Sequence, residues 1–197
     1  GEECDEIRQN NLGWDITDFG KGRFAEEGLT LVTIRNGNFK YDNKPYCEKI
    51  MLVREKQITP IHFHWKKMED IINRGGNDIV FTFYNADQTK VHRTEDGREI
   101  FEKDFENDVL IYKDGRQYKV KAGEPVRLHN GESITLVPYQ YHEFIIPEGG
   151  PSLIGEVSMV NDDHTDNFFY EPLGRFPTIE EDEAPYRLLC TEYPEAK

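Results

Sequence analysis

Long apolar runs and paired cysteines are missing from this sequence. No stretch reaches the roughly 18 apolar residues that span a bilayer, and the first residues are acidic, so we expect neither a membrane span nor a signal peptide. The three cysteines, Cys4, Cys47 and Cys190, cannot all pair within the chain and include no Cys-x-x-Cys arrangement. Reduced thiols are therefore expected, and with them a cytoplasmic location.

Basic residues are also scarce. The chain has 24 Lys and Arg against 38 Asp and Glu, which gives a formal net charge of −14. An acidic surface of this kind repels nucleic acid and anionic membranes, so we expect neither as a partner. An anionic substrate is disfavoured as well, although a local pocket of basic residues would override the overall charge.

Short runs rich in β-branched and aromatic residues dominate the chain, and turn residues such as Asp114-Gly115 and Asn130-Gly131 separate them. Such runs predict β-strands. Helical periodicity is weak and is confined to residues 5–12 and 65–72. About ten short strands with so little helix favour an all-β antiparallel sandwich or barrel with few short helices. The predicted strands cover residues 29–34, 46–53, 59–64, 78–84, 109–112, 117–120, 125–128, 133–137, 141–146 and 152–160.

The length of 197 residues predicts a single domain, residues 1–197, with one sizeable core. Residues 85–108 are crowded with charge and are interpreted as a solvated insertion between the halves of the barrel. Residues 161–197 mix aromatic residues with proline and acids. We expect this carboxy-terminal tail to fold back onto the barrel.

Two histidine-bearing segments far apart in the sequence predict a metal site. His62 and His64 project from the same face of an extended strand, because side chains alternate across it. Glu69 can add a carboxylate, and His142 can add a third imidazole from a distant strand. A nitrogen and oxygen donor set of this kind suits Mn²⁺, Fe²⁺, Co²⁺, Ni²⁺ or Zn²⁺ and shows no thiolate preference.

The spacing of these residues resembles the first motif of the cupin superfamily. His62, His64, Glu69 and Gly76 fit the pattern of that motif, whereas Lys56 stands where its leading glycine is expected. The second cupin motif is only partly matched. Pro138 and His142 are present, but the inner glycine is missing and Ile146 replaces the final asparagine. The resemblance implies a cupin-type antiparallel β-barrel, also called a jelly roll or double-stranded β-helix.

Longer stretches are similar to the bacterial D-lyxose isomerase branch of the cupins. These stretches are residues 62–76, 155–169 and 174–183, and the similarity extends from about Trp14 to Tyr193. The resemblance implies a metal-dependent aldose–ketose isomerase that interconverts D-lyxose with D-xylulose, and often D-mannose with D-fructose. It also implies manganese as the usual metal, a small sugar as the substrate, and a homodimer.

Several polar residues are candidates for the chemistry. Lys67 shares strand parity with Glu69, so it is expected to face the same cavity, and the resemblance supports a catalytic or substrate-binding role for it. Glu171 is the preferred general base, because carboxylates suit that task, with Glu156 and Glu180 as rivals. Substrate hydroxyls are expected to be bound by three residues near the barrel mouth, namely Asp162, Asp163 and Arg175.

Three alternatives to the isomerase remain open because fold alone does not fix function. The first is a cupin dioxygenase that uses iron and oxygen. The second is a phosphosugar isomerase, for which Arg74, Arg127 and Arg175 remain available. The third is a non-catalytic sugar-binding cupin.

Overall fold

The computed structural model describes residues 4–194, whose regular secondary structure is almost entirely β-strand. Residues 1–3 and 195–197, the two ends of the predicted domain and tail, lie outside the described residues. In chain order, the described elements are α1 (Asp5–Gln9), β1 (Gly13–Thr17), β2 (Leu29–Arg35), β3 (Tyr46–Val53), β4 (Ile58–His64), β5 (Glu69–Gly76), β6 (Ile79–Arg93), β7 (Glu99–Asp104), β8 (Val109–Lys113), β9 (Arg116–Val120), β10 (Val126–Leu128), β11 (Ser133–Leu136), β12 (Gln140–Ile145), β13 (Ser152–Met159) and β14 (Asn167–Phe169).

The strands form two antiparallel sheets that pack face to face. The larger sheet has eight strands in the order β1-β2-β3-β13-β5-β11-β8-β9. The smaller sheet runs β10-β6-β12-β4-β14, and β7 pairs with β6 beside it. Neighbours in space are often distant in sequence, as in a jelly roll. The predicted all-β antiparallel barrel is therefore confirmed.

The core lies between the sheets, because alternate side chains on each strand face inward. In β3 the inward positions hold Cys47, Lys49, Met51 and Val53, all of them buried. The opposing sheet contributes apolar residues from β6, β12 and the segment that follows β12. The largest fully buried apolar side chains are Phe19, Phe63, Phe81, Phe83, Ile79, Ile111, Leu128, Ile134, Leu136, Tyr141, Ile146 and Ile154.

The helix predicted over residues 65–72 is wrong. Residues 65–68 form an irregular connection, and β5 begins at Glu69. Apolar residues recur at helical spacing in this segment, but β5 hydrogen-bonds to β11 on one side and to β13 on the other. Pairing on both edges satisfies the backbone of β5 within the sheet, and the tertiary context overrides the local pattern. The amino-terminal helix is shorter than expected and ends at Gln9.

The charged segment 85–108 forms a hairpin that extends the smaller sheet. Strand β6 continues to Arg93, and β7 returns antiparallel to it. The hairpin contacts the barrel where the indole nitrogen of Trp65 donates a hydrogen bond of 2.6 Å to the carbonyl of Glu99. The guanidinium of Arg98 lies 4.2 Å from the ring centre of Trp65. The segment is thus an ordered arm that rests on the start of the β4–β5 connection.

The carboxy-terminal part of the described chain packs against the barrel. Strand β14 pairs with β4, the strand that carries His62 and His64. Further along, the amide of Gly174 donates to the carbonyl of Phe19, and the amide of Cys190 donates to that of Trp14. No helix within residues 4–194 has the length and apolar character needed to cross a membrane.

Candidate metal centre and active site

Three histidines meet inside the barrel. His62 and His64 lie on β4 and point to the same side of that strand. His142 lies opposite His62 on the neighbouring strand β12. The Nε2 atoms of His62 and His142 are 3.1 Å apart, and one ring nitrogen from each of the three residues lies within 4.8 Å of the others. All three side chains are buried, so the cluster is removed from bulk water.

The second ring nitrogen of each histidine fixes its tautomer. In each ring, Nδ1 lies at hydrogen-bonding distance from a backbone carbonyl oxygen: that of Pro60 for His62 (2.8 Å), that of Asp166 for His64 (3.1 Å) and that of Gln140 for His142 (3.0 Å). A carbonyl oxygen only accepts, so each Nδ1 carries the proton and donates. The Nε2 atom of each neutral ring is then an unprotonated lone-pair donor. Histidine ligands of metal ions are oriented in this way.

Glu69 completes the cluster from the opposite sheet. It is the first residue of β5, and its carboxylate is buried. Oε1 of Glu69 lies 3.3 Å from Nε2 of His64 and 3.6 Å from Nε2 of His142. The two sheets therefore bring one carboxylate oxygen and three imidazole nitrogens to a common point.

Burial and charge set the protonation states of these groups. Burial lowers the pKa of His62 well below its ordinary value, and the neighbouring histidines lower it further. Burial also lowers the pKa of His142, to about 4. Burial raises the pKa of Glu69, but Lys67 and His64 outweigh this effect and hold that pKa well below its usual value. At neutral pH, His62 and His142 are uncharged and Glu69 is ionised.

This donor set fits a divalent transition-metal ion. Unprotonated nitrogens that converge in a buried space lack a hydrogen-bond donor, and leaving such groups unsatisfied costs free energy. A cation among them removes that cost. Imidazole and carboxylate donors suit manganese, iron, cobalt, nickel or zinc. The residues that would hold such an ion are His62, His64, Glu69 and His142.

A chain of buried charges continues from Glu69 along the cavity wall. Nζ of Lys67 lies 2.6 Å from Oε2 of Glu69 and 3.2 Å from Oε1 of Glu156. The carboxylate of Glu156 also contacts Lys49, because Nζ of Lys49 lies 3.2 Å from Oε1 of Glu156. The same Nζ donates a hydrogen bond of 2.7 Å to Oδ1 of Asn161. Burial lowers the pKa of both lysines, but the facing carboxylates outweigh it and raise each pKa above its usual value. Both lysines are therefore charged.

A buried arginine closes the same cavity from the tail. Nη2 of Arg175 lies 2.7 Å from Oδ2 of Asp15 and 2.9 Å from Oδ2 of Asp163. Burial lowers the pKa of Arg175, but Asp163 and Asp15 outweigh this effect and raise it above its usual value. Burial raises the pKa of Asp163, but Lys49 and Arg175 outweigh this effect and hold it well below its usual value. Arg175 and Asp163 are therefore ionised. The pairing joins strand β1 to the tail across the cavity.

Asp166 holds the turn that carries Lys67 against the histidines. Its carboxylate oxygens accept hydrogen bonds from the backbone amides of Lys66 (2.9 Å) and Lys67 (2.8 Å). Its carbonyl accepts the Nδ1 proton of His64. One buried residue of the tail therefore positions both the predicted ligand His64 and the neighbouring Lys67.

The structure brings some of the predicted site residues together and leaves others outside. The cavity is lined by the four candidate ligands and by Lys67, Asp163 and Arg175. Glu171 does not line it. The Glu171 side chain is 73% exposed and lies 3.5 Å from Lys21. Glu180 is exposed as well, whereas Glu156, the other rival for the base, lines the cavity. Asp162 lies in the loop beside the cavity, where its carboxylate accepts the amides of His164 and Thr165.

Sequence reasoning missed three polar residues of the site. Lys49 alternates with Cys47 and Met51 on the inward face of β3, so strand parity alone would have placed it inside. Asp15 is connected to the site by its ion pair with Arg175 of the tail, and no sequence pattern indicates that contact. Thr59 lines the cavity, and its buried hydroxyl has no hydrogen-bond partner within residues 4–194.

A jelly-roll barrel with three histidines and a glutamate converging inside it belongs to the cupin class. Comparison with solved structures agrees on the fold. L-ribose isomerase of Cellulomonas parahominis superposes with a TM-score of 0.54 at 18% identity, covering 86% of this chain and 83% of the other. L-ribose isomerase of Acinetobacter sp. DL28, as an E204Q mutant, gives a TM-score of 0.55 at 14% identity, covering 87% and 84%.

Comparison of sequences then shows the family. The family model described as D-lyxose isomerase matches residues 1–193, and the chain belongs to that family. It is 46% identical over 192 residues to the D-lyxose/D-mannose isomerase of Escherichia coli O157:H7, covering 96% of this chain and 79% of the relative. The D-lyxose/D-mannose isomerase of Serratia proteamaculans is 50% identical over 191 residues, with 95% and 78% covered.

Proposed function

We propose that this protein is a metal-dependent aldose–ketose isomerase that interconverts D-lyxose with D-xylulose, and D-mannose with D-fructose. The observation that carries the proposal is the convergence of three imidazoles and one carboxylate beside the buried Lys67–Glu156 pair. The two curated relatives at 46% and 50% identity are named D-lyxose/D-mannose isomerases, which supports this choice of substrates.

The reaction moves one proton from C2 to C1 and another from O2 to O1 through an enediol. A divalent ion supplies Lewis-acid polarisation of the substrate oxygens when it is bound. We propose Mn²⁺ in preference to Zn²⁺, Co²⁺, Fe²⁺ or Ni²⁺, because the set includes a hard carboxylate donor and the family commonly uses manganese. The ligands in this proposal are His62, His64, Glu69 and His142.

Glu156 is the general base in this proposal. Its carboxylate is buried at the cavity wall, whereas Glu171 and Glu180 extend into solvent. A base must lie within reach of the carbon-bound proton, and an exposed carboxylate outside the cavity does not meet that condition. A single carboxylate on one face of the enediol can remove the proton from C2 and return it to C1.

Lys67 is the group that handles the oxygen-bound proton. Its ammonium lies between Glu69, a ligand in this proposal, and Glu156, the base, so a substrate that reaches both also reaches Nζ. An ammonium there donates to a substrate oxygen as negative charge develops on it. Lys49 holds the other side of the Glu156 carboxylate and orients it.

The remaining polar residues bind the sugar hydroxyls in this proposal. Nη1 of Arg175 is buried with no hydrogen-bond partner within the described part of the chain, and the Thr59 hydroxyl is in the same state. Both residues line the cavity, and both atoms are available for substrate oxygens. Asp163 fixes Arg175, and Asp162 holds the loop that carries Asp163. The substrate is a small neutral sugar, in keeping with the acidic chain.

We further propose that residues 1–197 form one domain, that the protein acts in the cytoplasm, and that two copies associate as a homodimer. The two sheets share one main core between them, which supports a single domain. Reduced cysteines support a cytoplasmic setting, because Cys47 and Cys190 are buried as free thiols.

Incubation of the Mn²⁺-loaded protein with D-lyxose or D-mannose under nitrogen tests the function. We expect D-xylulose and D-fructose to form without oxygen, and we expect a chelator to stop the reaction. Oxygen uptake without ketose formation would favour the dioxygenase. Turnover of phosphorylated sugars alone would favour the phosphosugar isomerase, and sugar binding without turnover would favour a binding protein.

A further inference from the structure

The turn of the β6–β7 hairpin contacts the two segments that hold Lys67 in place. One segment is the β4–β5 connection, in which Trp65 lies two residues before Lys67. The other is the loop before β14, in which Thr165 directly precedes Asp166. The two segments already meet beside the cavity, because the Asp166 carboxylate accepts the backbone amide of Lys67. A group that binds both segments from outside therefore affects the placement of Lys67.

Arg98 lies in this turn and contacts both segments at once. Its guanidinium lies 4.2 Å from the ring centre of Trp65, which is close enough for a cation–π contact. Nη1 of the same guanidinium donates a hydrogen bond to the backbone carbonyl of Thr165. Asp96, in the same turn, pairs with the guanidinium, since its Oδ2 lies 2.7 Å from Nε. Arginine combines a flat face with a fork of donors, and this pair of contacts uses both properties.

The indole of Trp65 is fixed on its nitrogen, on its face and on its edges. Its nitrogen donates the 2.6 Å hydrogen bond to the carbonyl of Glu99 in β7. Its ring packs against two other aromatic rings, with centroid distances of 5.3 Å to Phe63 and 5.9 Å to Phe168. The backbone of Trp65 leads within two residues to Lys67, so an indole held in this way limits the course of the connection.

The hairpin that carries Arg98 is itself attached to the barrel. Phe101 of β7 is buried in a small second core with Phe63 of β4 and Tyr141 of β12. The hydroxyl of Tyr141 donates a hydrogen bond of 2.6 Å to the carbonyl of Phe101. Phe63 and Tyr141 alternate with the candidate ligands along β4 and β12, so this core lies on the reverse side of the strands that carry the histidines. The anchored hairpin gives Arg98 a fixed base.

We propose that Arg98 is a positioning residue, which sets the place of Lys67 and affects catalysis through it. Arg98 binds Trp65 and Thr165, while Asp166 binds the amide of Lys67. Covalent bonds along the two segments join these contacts into a closed circuit. The circuit holds the ammonium of Lys67 more narrowly than the hydrogen bonds to Asp166 alone, and a reacting group misplaced by about 1 Å slows a reaction considerably. This proposal rests on the proposed isomerase function, because it takes Lys67 to act on the substrate.

Steady-state kinetics of Arg98→Ala test this role. We expect kcat to fall about tenfold and KM to stay within about twofold, because a misplaced ammonium stabilises the developing charge less well while the sugar contacts are unchanged. Arg93→Ala is the matched control. Arg93 belongs to the same hairpin, and its guanidinium binds the carbonyl of Gly97 and the carboxylate of Glu99 within that hairpin. Its replacement should leave kcat unchanged.

A double-mutant cycle separates positioning of Lys67 from general support of the fold. In Lys67→Ala there is no ammonium left to position, so adding Arg98→Ala should change kcat by less than about twofold. A tenfold loss in both backgrounds would overturn the proposal, and so would an unchanged kcat in Arg98→Ala alone. An equal loss in Arg93→Ala would overturn it as well, because the effect would then come from the stability of the hairpin. Circular dichroism checks that each variant is folded.

Amide hydrogen exchange tests the circuit without using turnover. Arg98→Ala should raise the exchange rates of the Lys66 and Lys67 amides about tenfold, since their hydrogen bonds to Asp166 lose the outer support, whereas Arg93→Ala should not change them. Unchanged exchange in Arg98→Ala would overturn the proposal even in an active chain. An unmodified chain without turnover would contradict the proposed function, and the exchange rates would still decide whether Arg98 holds the connection.

Discussion

Nζ of Lys67 lies 3.2 Å from Oε1 of Glu156, so the ammonium proposed to serve the substrate oxygens contacts the carboxylate proposed to serve its carbons. Lys67 lies in the irregular connection just before β5, and Glu156 lies in the middle of β13, the strand next to β5. Their contact gives the cavity an acid and a base at fixed separation, next to the cluster that would hold the metal. Each member of this arrangement is open to a separate test.

Removing a ligand should abolish both metal binding and turnover. His64→Ala deletes one of four donors and also the hydrogen bond to the Asp166 carbonyl, so we expect bound metal to fall to background and activity to vanish with it. Elemental analysis of the purified variant measures the metal. His129→Ala is the control, because His129 is exposed and pairs with Asp78 outside the cavity. Full metal content in His64→Ala would remove His64 from the ligand set.

Replacing Lys67 should separate metal binding from catalysis. Lys67→Ala leaves all four donors in place, so we expect metal content to be retained and kcat to fall by about 100-fold or more. It also leaves Glu69 and Glu156 without a shared cation, which should lower the free energy of unfolding by roughly 3 kcal/mol in the metal-free protein. Lys66→Ala is the control, since its side chain is exposed. Normal turnover in Lys67→Ala would show that the role assigned to Lys67 is wrong.

Two glutamate variants decide between the candidate bases. Glu156→Gln keeps the shape of the side chain and removes its basicity, so kcat should fall by about 100-fold or more, and exchange of the C2 hydrogen with deuterated water should stop. Glu171→Gln alters a solvent-exposed residue and should leave kcat within about twofold. NMR of the sugar in deuterated water measures both effects. The opposite pattern would restore Glu171 as the base.

The buried histidines should make the metal-free protein sensitive to acid. His142 has a pKa of about 4 when folded, against 6.5 when exposed. Below pH 6.5, His142 is protonated in the unfolded chain but stays neutral in the folded chain. The free energy of unfolding therefore falls as the pH decreases from 6.5 towards 4. The full loss from His142 is about 3 kcal/mol. Urea unfolding at several pH values measures it. His142→Gln should flatten that part of the profile, and an unchanged slope would contradict the assignment.

Strand parity made the histidine cluster predictable from the sequence. His62 and His64 lie on one face because they are two residues apart on a strand, and this relation holds for any register. The same rule places Lys49 inside the barrel. The rule fails where strands end. The segment from Trp65 to Met68 is irregular, and its course is set by the Asp166 carboxylate, which is distant in sequence.

The tail was harder to predict, because its contacts are set by tertiary packing. Residues 170–194 carry no regular strand or helix, so no periodicity indicates which side chains face inward. Arg175 reaches Asp15 and Asp163 only once the tail has crossed the barrel. Glu171 is four residues away from Arg175 and extends into solvent. Chemical type alone could not decide whether Glu171 or Glu156 is the general base, because both are carboxylates in the part of the chain that follows His142.

The carbonyl of Asp166 that holds His64 lies 102 residues further along the chain. During synthesis, His62 and His64 leave the ribosome long before Asp166 does. His142 emerges after these two histidines and before Asp166. A partly synthesised chain therefore lacks the hydrogen bond that orients His64, and its histidines do not yet have the geometry that would select a cation. If the proposed metal site is correct, it is complete only after the last quarter of the polypeptide has emerged and packed against the barrel.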